Sequence, residues 1–443
     1  MTVVGAARSG LAAAELLARR RADVTVTEMR HDVPEAEPLQ RLGVRLELGG
    51  HRDETLAGAD LVVLSPGVPP ELPAVRNARE RGVPVIGELE LASRWLSGRV
   101  VAITGTKGKS TTTALTGRIL EAAGYRVTVG GNIGAPLSAQ VSDSTPETVH
   151  VVEASSFQLE QIETFHPWIA VMLNFSPDHL DRHPGVEAYG AAKARILENQ
   201  TGSDWAVINA DDPAVLELAR KGRARRRLFA RQARIEEGTV VEDGWIVDRP
   251  ADGAERAVRL VPLDAIHLLG PHLVSDVMAA ATVGTIAGGA PAALTAAVES
   301  FRGLEHAMEL VAEKNGVRFV NDSKATNVEA ALRSIESFET GLVAIMGGRF
   351  KGGDLRLLRA PLTARARAVV AIGEARPLLR EAFDGAVDVR EAESIEAAIE
   401  MAYELAKPVS GVVLLAPACA SFDQFRDYAE RGRRFREGAL KLK

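Results

Sequence analysis

The chain has 443 residues, of which 46% are hydrophobic and 25% charged, and its formal net charge at pH 7 is −6. This composition is typical of a folded globular protein, and the acidic balance gives no reason to expect a nucleic-acid partner, because phosphate backbones attract basic surfaces. The single cysteine, Cys419, excludes an internal disulfide and a cysteine-based zinc site, and it suits a reducing compartment.

The chain length predicts about three domains, and the first block, residues 1–93, alternates strands with helices. Its predicted elements are, in order, strand Thr2–Val4, helix Leu11–Arg20, strand Val24–Thr27 and strand Leu61–Leu64. This alternation predicts a Rossmann-like α/β domain. The turn Gly5–Gly10 resembles a dinucleotide fingerprint without its middle glycine, so it fits a nucleotide-binding unit or a plain packing turn and only weakly indicates NAD.

The second block, residues 94–299, contains the strongest local signal. The apolar run Val100–Ile103 leads into the glycine loop Gly105–Thr111, and a helix is predicted at Thr112–Ala123. In such a loop the backbone amides and a lysine, here Lys109, surround phosphate oxygens. The two glycines stand three positions apart rather than about five, so an ordinary turn before a helix is the alternative. The pattern predicts a central P-loop ATPase-type α/β domain.

Polar residues follow two further predicted strands of this block. Glu153 comes after the strand at Val149–Val152, and Asp178 and His179 follow the strand at Ile169–Leu173. Strand ends are where α/β sheets bind ligands, and oxygen ligands with an imidazole are a plausible magnesium set. Taken singly, each residue is more often a capping or hydrogen-bonded polar group. By its composition alone, the helical segment around Lys193 indicates a surface lysine.

The last part of the chain again alternates strands and helices. Within the second block, a further strand is predicted at Trp205–Asn209. The arginine-rich segment Arg220–Arg234 of the same block is interpreted as a solvated surface segment rather than a binding patch. The third block, residues 300–443, is predicted to be a second Rossmann-like domain. Its predicted elements are strands at Val317–Val320, Leu342–Ile345, Ala368–Ile372 and Gly411–Leu415 and a helix at Ser394–Ala406.

Seven motifs, taken in order along essentially the whole chain, resemble those of the Mur ligases and folylpolyglutamate synthases. They are Gly105–Thr111, Gly130–Gly134, Glu153–Leu159, Asp178–Arg182, Asn209–Asp212 and, in the third block, the pair Asn321–Asn327 and Pro417–Phe425. The last pair is similar to the branch of the Mur ligase family that adds D-glutamate. An Asp-Asn-Pro-Arg motif, typical of the diaminopimelate- or lysine-adding branch, is absent from the sequence.

The resemblance implies a cytoplasmic, monomeric, ATP-dependent amide-bond ligase that serves peptidoglycan synthesis, and so cell shape and division. ATP would phosphorylate the carboxylate of UDP-N-acetylmuramoyl-L-alanine, and the amine of D-glutamate would then displace phosphate. No membrane span is expected, because no apolar run approaches the ~20 residues that a membrane helix needs. The alternatives are another Mur or folylpolyglutamate-type ligase and a nucleotide-binding paralogue without catalytic activity.

The resemblance also implies residue roles. Lys109, Glu153, His179 and a carbamylated Lys193 would be catalytic, with two Mg²⁺ ions held by Ser110, Thr111, Glu153, His179 and Lys193. The expected ATP-binding residues are Gly105, Thr106, Lys107, Gly108, Lys109, Ser110, Thr111 and Asp322. The expected binding residues for the UDP substrate are Arg8, Glu28, Arg30, Asn132 and Ser155. Those for D-glutamate are Thr326, Lys351, Ser421 and Phe422.

The sequence departs from the family pattern at three places. Lys107 stands where Asn or His is usual, and Leu273 and Asp276 replace two asparagines of the segment 270–276. Ala307 follows His306 where Arg is usual. The last two departures affect the expected adenine and γ-phosphate contacts. We expect Lys107 or Arg349 to supply some of the missing positive charge.

Overall fold

The computed structural model describes residues 1–179, 182–250, 256–268 and 271–442, without the side chains of residues 271 and 272. Residues 1–266 and 274–299 form one compact unit, and residues 267–273 and 300–443 form a second. The first unit contains two sheets and the second contains one. The predicted boundaries at 93/94 and 299/300 stay a prediction.

The first sheet is parallel and has the strand order β3-β2-β1-β4-β5. Its strands are β1 Thr2–Val4, β2 Thr25–Glu28, β3 Arg45–Leu48, β4 Val62–Leu64 and β5 Val85–Gly87. Its helices are α1 Arg8–Arg19, α2 Glu37–Gln40, α3 Asp53–Ala57, α4 Pro73–Glu80 and α5 Glu88–Ser93. The helix predicted from Leu11 therefore begins at Arg8, and strands β3 and β5 were not predicted.

The second sheet has nine strands in the order β14-β13-β12-β11-β10-β9-β6-β8-β7. Its strands are β6 Arg99–Thr104, β7 Arg126–Gly131, β8 Thr148–Glu153, β9 Ile169–Met172, β10 Trp205–Asn209, β11 Arg225–Ala230, β12 Gly238–Glu242, β13 Trp245–Arg249 and β14 Val258–Pro262. Its helices are α6 Lys109–Ala122, α7 Ser156–Leu159, α8 Val186–Ala194, α9 Pro213–Leu218, α10 Pro271–Ile286 and α11 Pro291–Ser300. Strands β6 to β12 are parallel to one another, whereas β13 is antiparallel to β12 and β14.

Strand β6 lies near the middle of the parallel region, between β8 and β9. Its residues Val101, Ala102 and Ile103 are fully buried, as expected for a strand of a parallel sheet covered on both faces. The loops that leave the carboxyl ends of β6 to β9 therefore open at one edge of the sheet. The predicted phosphate loop, Glu153 and the segment with His179 all begin at this edge.

The arginine-rich segment contains strand β11, which was not predicted. Arg225 and Arg226 are exposed, as the surface interpretation expects, while Phe229 is buried. The Arg227 guanidinium lies 2.6 Å from the Asp248 carboxylate of β13. The segment is thus a sheet strand with an exposed basic start.

The third sheet, in the second unit, has the order β15-β16-β20-β17-β18-β19. Its strands are β15 Glu309–Lys314, β16 Val317–Asn321, β17 Leu342–Gly347, β18 Ala366–Ile372, β19 Asp388–Glu391 and β20 Val412–Leu415. Its helices are α12 Val328–Glu336, α13 Arg359–Arg365, α14 Arg376–Phe383, α15 Ile395–Ala406 and α16 Tyr428–Lys441. All pairs are parallel except β15 with β16. Among the described helices, none is long and apolar enough to cross a membrane.

Candidate active site

The glycine loop connects β6 directly to α6, as predicted, although α6 begins at Lys109 and not at Thr112. Gly108 has a φ of +77° and is the residue just before the helix, a conformation that glycine adopts without strain. Asn174, after β9, holds the loop: its Oδ1 accepts the N–H groups of Thr106 and Lys107 at 3.1 and 2.8 Å. Its Nδ2 donates back to the Lys107 carbonyl. This clamp fixes the loop in shape, and sequence reasoning did not assign it.

Two lysines meet at one carbonyl oxygen of the loop. Lys109 Nζ donates to the Gly105 oxygen at 3.0 Å, and Lys193 Nζ donates to the same oxygen at 2.7 Å. Lys193 is only 2% exposed, so the interpretation of it as a surface lysine is wrong. Helix α8 buries the face that carries Tyr189, Gly190, Ala192 and Lys193, and this face lies beneath the loop. Burial first, and then the charge of Lys109, lower the pKa of Lys193 to about 7.

Tyr189, one turn before Lys193, completes the floor beneath the loop. Its ring centre lies 4.7 Å from Lys193 Nζ, and its hydroxyl lies 3.3 Å from the Thr106 hydroxyl. An ammonium over an aromatic face is stabilised by the ring quadrupole. Burial raises the pKa of Tyr189. Tyr189 is a second residue that sequence reasoning missed, because a buried aromatic residue in a helix gives no functional signal.

The Glu153 carboxylate, at the end of β8, contacts both neighbouring elements. Its Oε2 accepts the Ser110 hydroxyl at 2.7 Å, and its Oε1 accepts the Asn132 amide at 2.7 Å. Thr111 follows Ser110 in the first turn of α6. Glu153 is buried, with 2% of its surface exposed. A hydroxyl and a buried carboxylate in contact are hard oxygen donors of the kind that Mg²⁺ prefers.

His179 lies at the same sheet edge, in a left-handed conformation with a φ of +54°. Its ring centre is 5.0 Å from that of Phe157 and 6.0 Å from that of Tyr189. Among the described residues, no three His, Cys, Asp or Glu side chains form a ready-made metal site. A metal here would therefore need a loop hydroxyl, a phosphate oxygen or a modified lysine as a further ligand.

The residues expected to bind the UDP substrate divide between the two sheets of the first unit. At the first sheet, Glu28 accepts the Ala6 N–H at 2.7 Å, and Arg30 donates to the Ala6 carbonyl. Hydrogen bonds from backbone amides and the Arg30 charge lower the pKa of Glu28 although burial opposes them. Arg8 is exposed and donates to the Gly134 carbonyl. Ser155, after β8, is the N-cap of α7 and forms a capping box with Gln158.

The remaining expected residues belong to the second unit. Asp322 is buried at the end of β16, where its carboxylate accepts the Met308 N–H and the Ser334 hydroxyl. Burial raises the pKa of Asp322. Of the residues expected to bind D-glutamate, Ser421 is buried, Thr326 is half-buried, Lys351 is exposed and Phe422 is 62% exposed. These residues follow the carboxyl ends of neighbouring strands of the third sheet.

The positions that depart from the family pattern have distinct environments. Lys107 is exposed on the loop, and Arg349 pairs with Glu374 at 3.0 Å. Asp276 is buried beside the loop, where a β-carbon on Gly108 would lie 2.2 Å from its carboxylate. Burial raises the pKa of Asp276 well above its usual range. Gly270 and the His272 side chain, also part of this motif, lie outside the described residues, as do residues 180 and 181.

Comparisons with known proteins cover all three sheets. The family model for the Mur ligase MurD-like N-terminal domain matches residues 1–87, the Mur ligase middle domain matches 103–284, and the Mur ligase glutamate ligase domain matches 307–419. The UDP-N-acetylmuramoylalanine–D-glutamate ligase of Acidobacterium capsulatum is 46% identical over 99% of this chain and 95% of its own. The protein of that name from Koribacter versatilis is 44% identical over 99% of this chain and 97% of its own.

The chain belongs to the Mur ligase family. Its membership confirms the predicted resemblance and the three-domain α/β fold class. The fold is also similar to that of a Mur ligase from Thermotoga maritima, a UDP-N-acetylmuramate–alanine ligase, with a TM-score of 0.58 at 19% identity over 100% of this chain and 99% of that one. A pseudomurein peptide ligase from Methanothermus fervidus gives a TM-score of 0.56 at 18% identity, with both chains fully covered.

Proposed function

We propose that the chain uses ATP to ligate D-glutamate to UDP-N-acetylmuramoyl-L-alanine, giving UDP-N-acetylmuramoyl-L-alanyl-D-glutamate for peptidoglycan synthesis. The relatives that match nearly the whole chain support the choice of substrates. The observation that carries the chemistry is the arrangement around the loop: Lys109 and Lys193 meet at the Gly105 oxygen, and the Ser110–Glu153 pair lies at the next strand end.

The reaction has two balanced steps. A carboxylate oxygen of the UDP substrate forms a bond to the γ-phosphorus of ATP, and the bond to the bridging oxygen of ADP breaks. The amine of D-glutamate then attacks the acyl carbon, inorganic phosphate leaves with the bonding electrons, and the nitrogen loses a proton. A carboxylate needs this activation because its unmodified oxygen is a poor leaving group.

The phosphate loop would bind and orient the triphosphate. Lys109 now donates to the Gly105 and Thr106 carbonyls, and we propose that it turns to the γ-phosphate when ATP binds. A full positive charge at that point offsets the charge on the transferred phosphoryl group. Lys107 is exposed on the same loop and would contribute a weaker, solvent-screened attraction.

Magnesium fits the donor set beside the loop. Ser110, Thr111 and Glu153 would hold one ion, and His179 with Lys193 would hold a second. Bound there, the ions would supply positive charge that polarises the phosphoryl and acyl oxygens. The support is the 2.7 Å hydrogen bond from the Ser110 hydroxyl to the Glu153 carboxylate, which places two hard oxygen donors side by side.

Carbamylation of Lys193 would provide the missing anionic ligand. The ammonium first loses one proton, and the neutral amine then attacks CO₂. A nitrogen–carbon bond forms, one carbon–oxygen π bond opens to give the carboxylate, and the nitrogen loses a second proton, so a cation becomes an anionic carbamate. Burial supports this proposal, because an ammonium that is 2% exposed and beside Lys109 is disfavoured. The lowered pKa of Lys193, about 7, leaves a substantial neutral fraction at neutral pH. Intact mass measured with and without bicarbonate should differ by one CO₂, and the difference should vanish in Lys193→Met.

We also propose locations for the substrates. Arg8, Glu28 and Arg30 would hold the UDP end, and Asn132 and Ser155 would line the path toward the reacting carboxylate. Support comes from the Ala6 loop, where Glu28 and Arg30 are already fixed by hydrogen bonds. Asp322 would contact the ATP ribose or base.

The acceptor D-glutamate is a dianion and needs cations and hydrogen-bond donors. Lys351, Thr326, Ser421 and Phe422 are the residues proposed to bind it. We further propose a cytoplasmic monomer, as the resemblance to the family implies. Light scattering that finds a stable dimer would contradict the proposed monomeric state.

A phosphate-release assay with ATP, magnesium, UDP-N-acetylmuramoyl-L-alanine and single amino acids tests the proposal. We expect release with D-glutamate and none without either substrate. Preference for another amino acid or for a folate would indicate a different ligase, and no release under any combination would indicate a non-catalytic paralogue. Either result would overturn the proposal.

Variants connect the activity to the site. Lys109→Ala and His179→Ala should each lower turnover by about 10²-fold or more while the fold is retained. Lys221→Ala, which removes an exposed lysine, is the matched control and should behave as wild type. A near-normal rate in either site variant would contradict the assigned role.

A further inference from the structure

Arg431 is a fully buried cation in helix α16 of the second unit. Its guanidinium donates to the Ser323 hydroxyl and carbonyl, each at 3.0 Å. It also donates to the Gly347 carbonyl at 3.3 Å and to the Cys419 carbonyl at 3.2 Å. The four acceptors are neutral. The Asp423 carboxylate acts on Arg431 electrostatically, but within the described part of the chain it does not lie within ion-pair distance of the guanidinium.

The acceptors belong to three different loops. Ser323 follows β16, Gly347 ends β17, and Cys419 follows β20, and β20 lies between β16 and β17 in the sheet. A guanidinium has five donors in a rigid plane and can hold several carbonyls at fixed directions, whereas a lysine ammonium is a single flexible point. Arg431 therefore fixes the relative positions of the three loops.

Each loop continues directly into a residue proposed to bind the amino acid. Thr326 lies three residues after Ser323, Lys351 four after Gly347, and Ser421 two after Cys419. The loops also need external support. Ala418 has a φ of +55°, a strained conformation for a residue with a β-carbon, and the next carbonyl, that of Cys419, is the one Arg431 holds.

The charge of Arg431 adds to this mechanical role. Burial lowers the pKa of Arg431 to about 10, so the side chain keeps its charge at neutral pH. In a low-dielectric interior an unpaired charge acts over a longer distance than on the surface. Asp423, two residues after Ser421 on the same loop, offsets part of this charge, so the guanidinium acts on the loops chiefly through its hydrogen bonds.

We propose that Arg431 is a positioning residue for the amino-acid substrate, holding the three loops in register. The proposal rests on the proposed function, because it takes the third-sheet loops as the amino-acid site. It predicts a specific kinetic signature. Loss of Arg431 should weaken binding of the amino acid strongly. The binding of ATP, whose phosphates are held by the glycine loop of the first unit, should change much less, through Asp322 beside Ser323 alone.

The test compares Arg431→Lys and Ser323→Ala with wild type, using the full chain. Arg431→Lys should raise the KM for D-glutamate roughly tenfold or more, because bonds to a charged donor are lost, with a much smaller rise in the KM for ATP. Ser323→Ala removes only one acceptor and should give a smaller increase in the same constant. It also provides a readout if Arg431→Lys folds poorly.

Two controls separate positioning from general stability. Phe435→Leu changes a fully buried residue of the same helix and should lower the melting temperature without changing the KM for D-glutamate. In Arg431→Ala, added guanidinium ion should lower the raised KM, since it can occupy the vacated space. A KM that stays at the wild-type value in Arg431→Lys and Ser323→Ala, or that rises equally in Phe435→Leu, would overturn the proposal.

The outcome is independent of which amino acid is used. Wild-type turnover with D-glutamate judges the proposed function. The role of Arg431 is judged by the ratio of variant to wild-type KM for whichever amino acid the wild type accepts. A chain that ligates another amino acid would thus refute the first proposal, and the KM ratio would still decide the second.

Discussion

The fold should lose stability in mild acid because His150, in strand β8, is buried in a neutral state. The ring is fully buried, and both nitrogens contact uncharged groups. Nδ1 lies 2.8 Å from the Thr128 hydroxyl, which itself donates to Gln140 Oε1 at 2.6 Å. The Thr128 oxygen is therefore left to accept a proton from Nδ1.

The other ring nitrogen of His150, Nε2, accepts a hydrogen bond and so cannot carry a proton without a clash. Nε2 lies 2.8 Å from the Ser144 hydroxyl, and that oxygen already accepts the N–H groups of Ser97 and Gly98 at 3.0 and 3.2 Å. Ser144 must then donate to Nε2. Protonation of the ring would place two hydrogens against each other and leave a buried charge without a counterion.

The magnitude follows from the pKa. Burial lowers the pKa of His150 from 6.5 to about 4. Because only the unfolded state binds the proton between the two pKa values, the contribution to stability is complete above pH 6.5, is lost as the pH falls from 6.5 to 4, and changes little below that. Linkage gives a loss of about 2 kcal/mol by pH 5 and about 3 kcal/mol by pH 4 from this residue alone.

Chemical denaturation between pH 7 and pH 4, followed by tryptophan fluorescence, measures this loss. The four tryptophans all lie within residues 1–266, in the unit that contains His150. His150→Gln should be less stable at pH 7 but should lose about 2 kcal/mol less than wild type on going to pH 5. The exposed His31→Gln is the matched control and should follow wild type. Parallel pH curves for wild type and His150→Gln would refute the reasoning.

Three further predictions concern the loop and the contact between the two sheets of the first unit. Gly108→Ala should weaken ATP binding more than tenfold, because φ is +77° and its β-carbon would lie 2.2 Å from Asp276; a left-handed alanine alone costs about 1–2 kcal/mol. Gly124→Ala is the control, because Gly124 has a φ of +91° but open space around its β-carbon, so this variant has the backbone strain without the steric clash. Equal nucleotide affinities of the two variants in titration calorimetry would contradict a clash with Asp276. Glu90→Gln should lower the free energy of unfolding of the first unit by about 2–4 kcal/mol. The reason is that the buried Glu90 carboxylate accepts three backbone N–H groups of the segment after α7. A variant that unfolds in urea at the wild-type midpoint would contradict this. Lys107→Ala should raise the KM for ATP a few-fold through lost attraction, and unchanged ATP affinity and turnover would remove Lys107 from the site.

Much of the fold could be predicted because buried parallel strands have short, apolar sequences. The strands β6, β9 and β17 were predicted within one or two residues of their ends. The antiparallel strands β12 to β14 were missed, since short strands with exposed charged residues resemble loops. Their pairing depends on neighbours that are distant in sequence.

The site was predictable where a local pattern fixes the chemistry and unpredictable where packing does. The loop with Lys109 lies between a strand and a helix that were both predicted, so its position in the fold could be predicted from the sequence. The burial of Lys193 and Arg431 could not, because each lies in a helix whose other residues suit a surface. Only tertiary packing determines which face of such a helix turns inward.

The central claim is that the loop Gly105–Thr111 binds the phosphates of ATP beside a metal that faces Glu153. A crystal structure of the chain with ATP and magnesium tests it most directly. We predict the triphosphate along the loop, with Lys109 Nζ moved from the Gly105 carbonyl to a phosphate oxygen and the metal against Ser110 and Glu153. A nucleotide bound anywhere else on the chain would contradict the account.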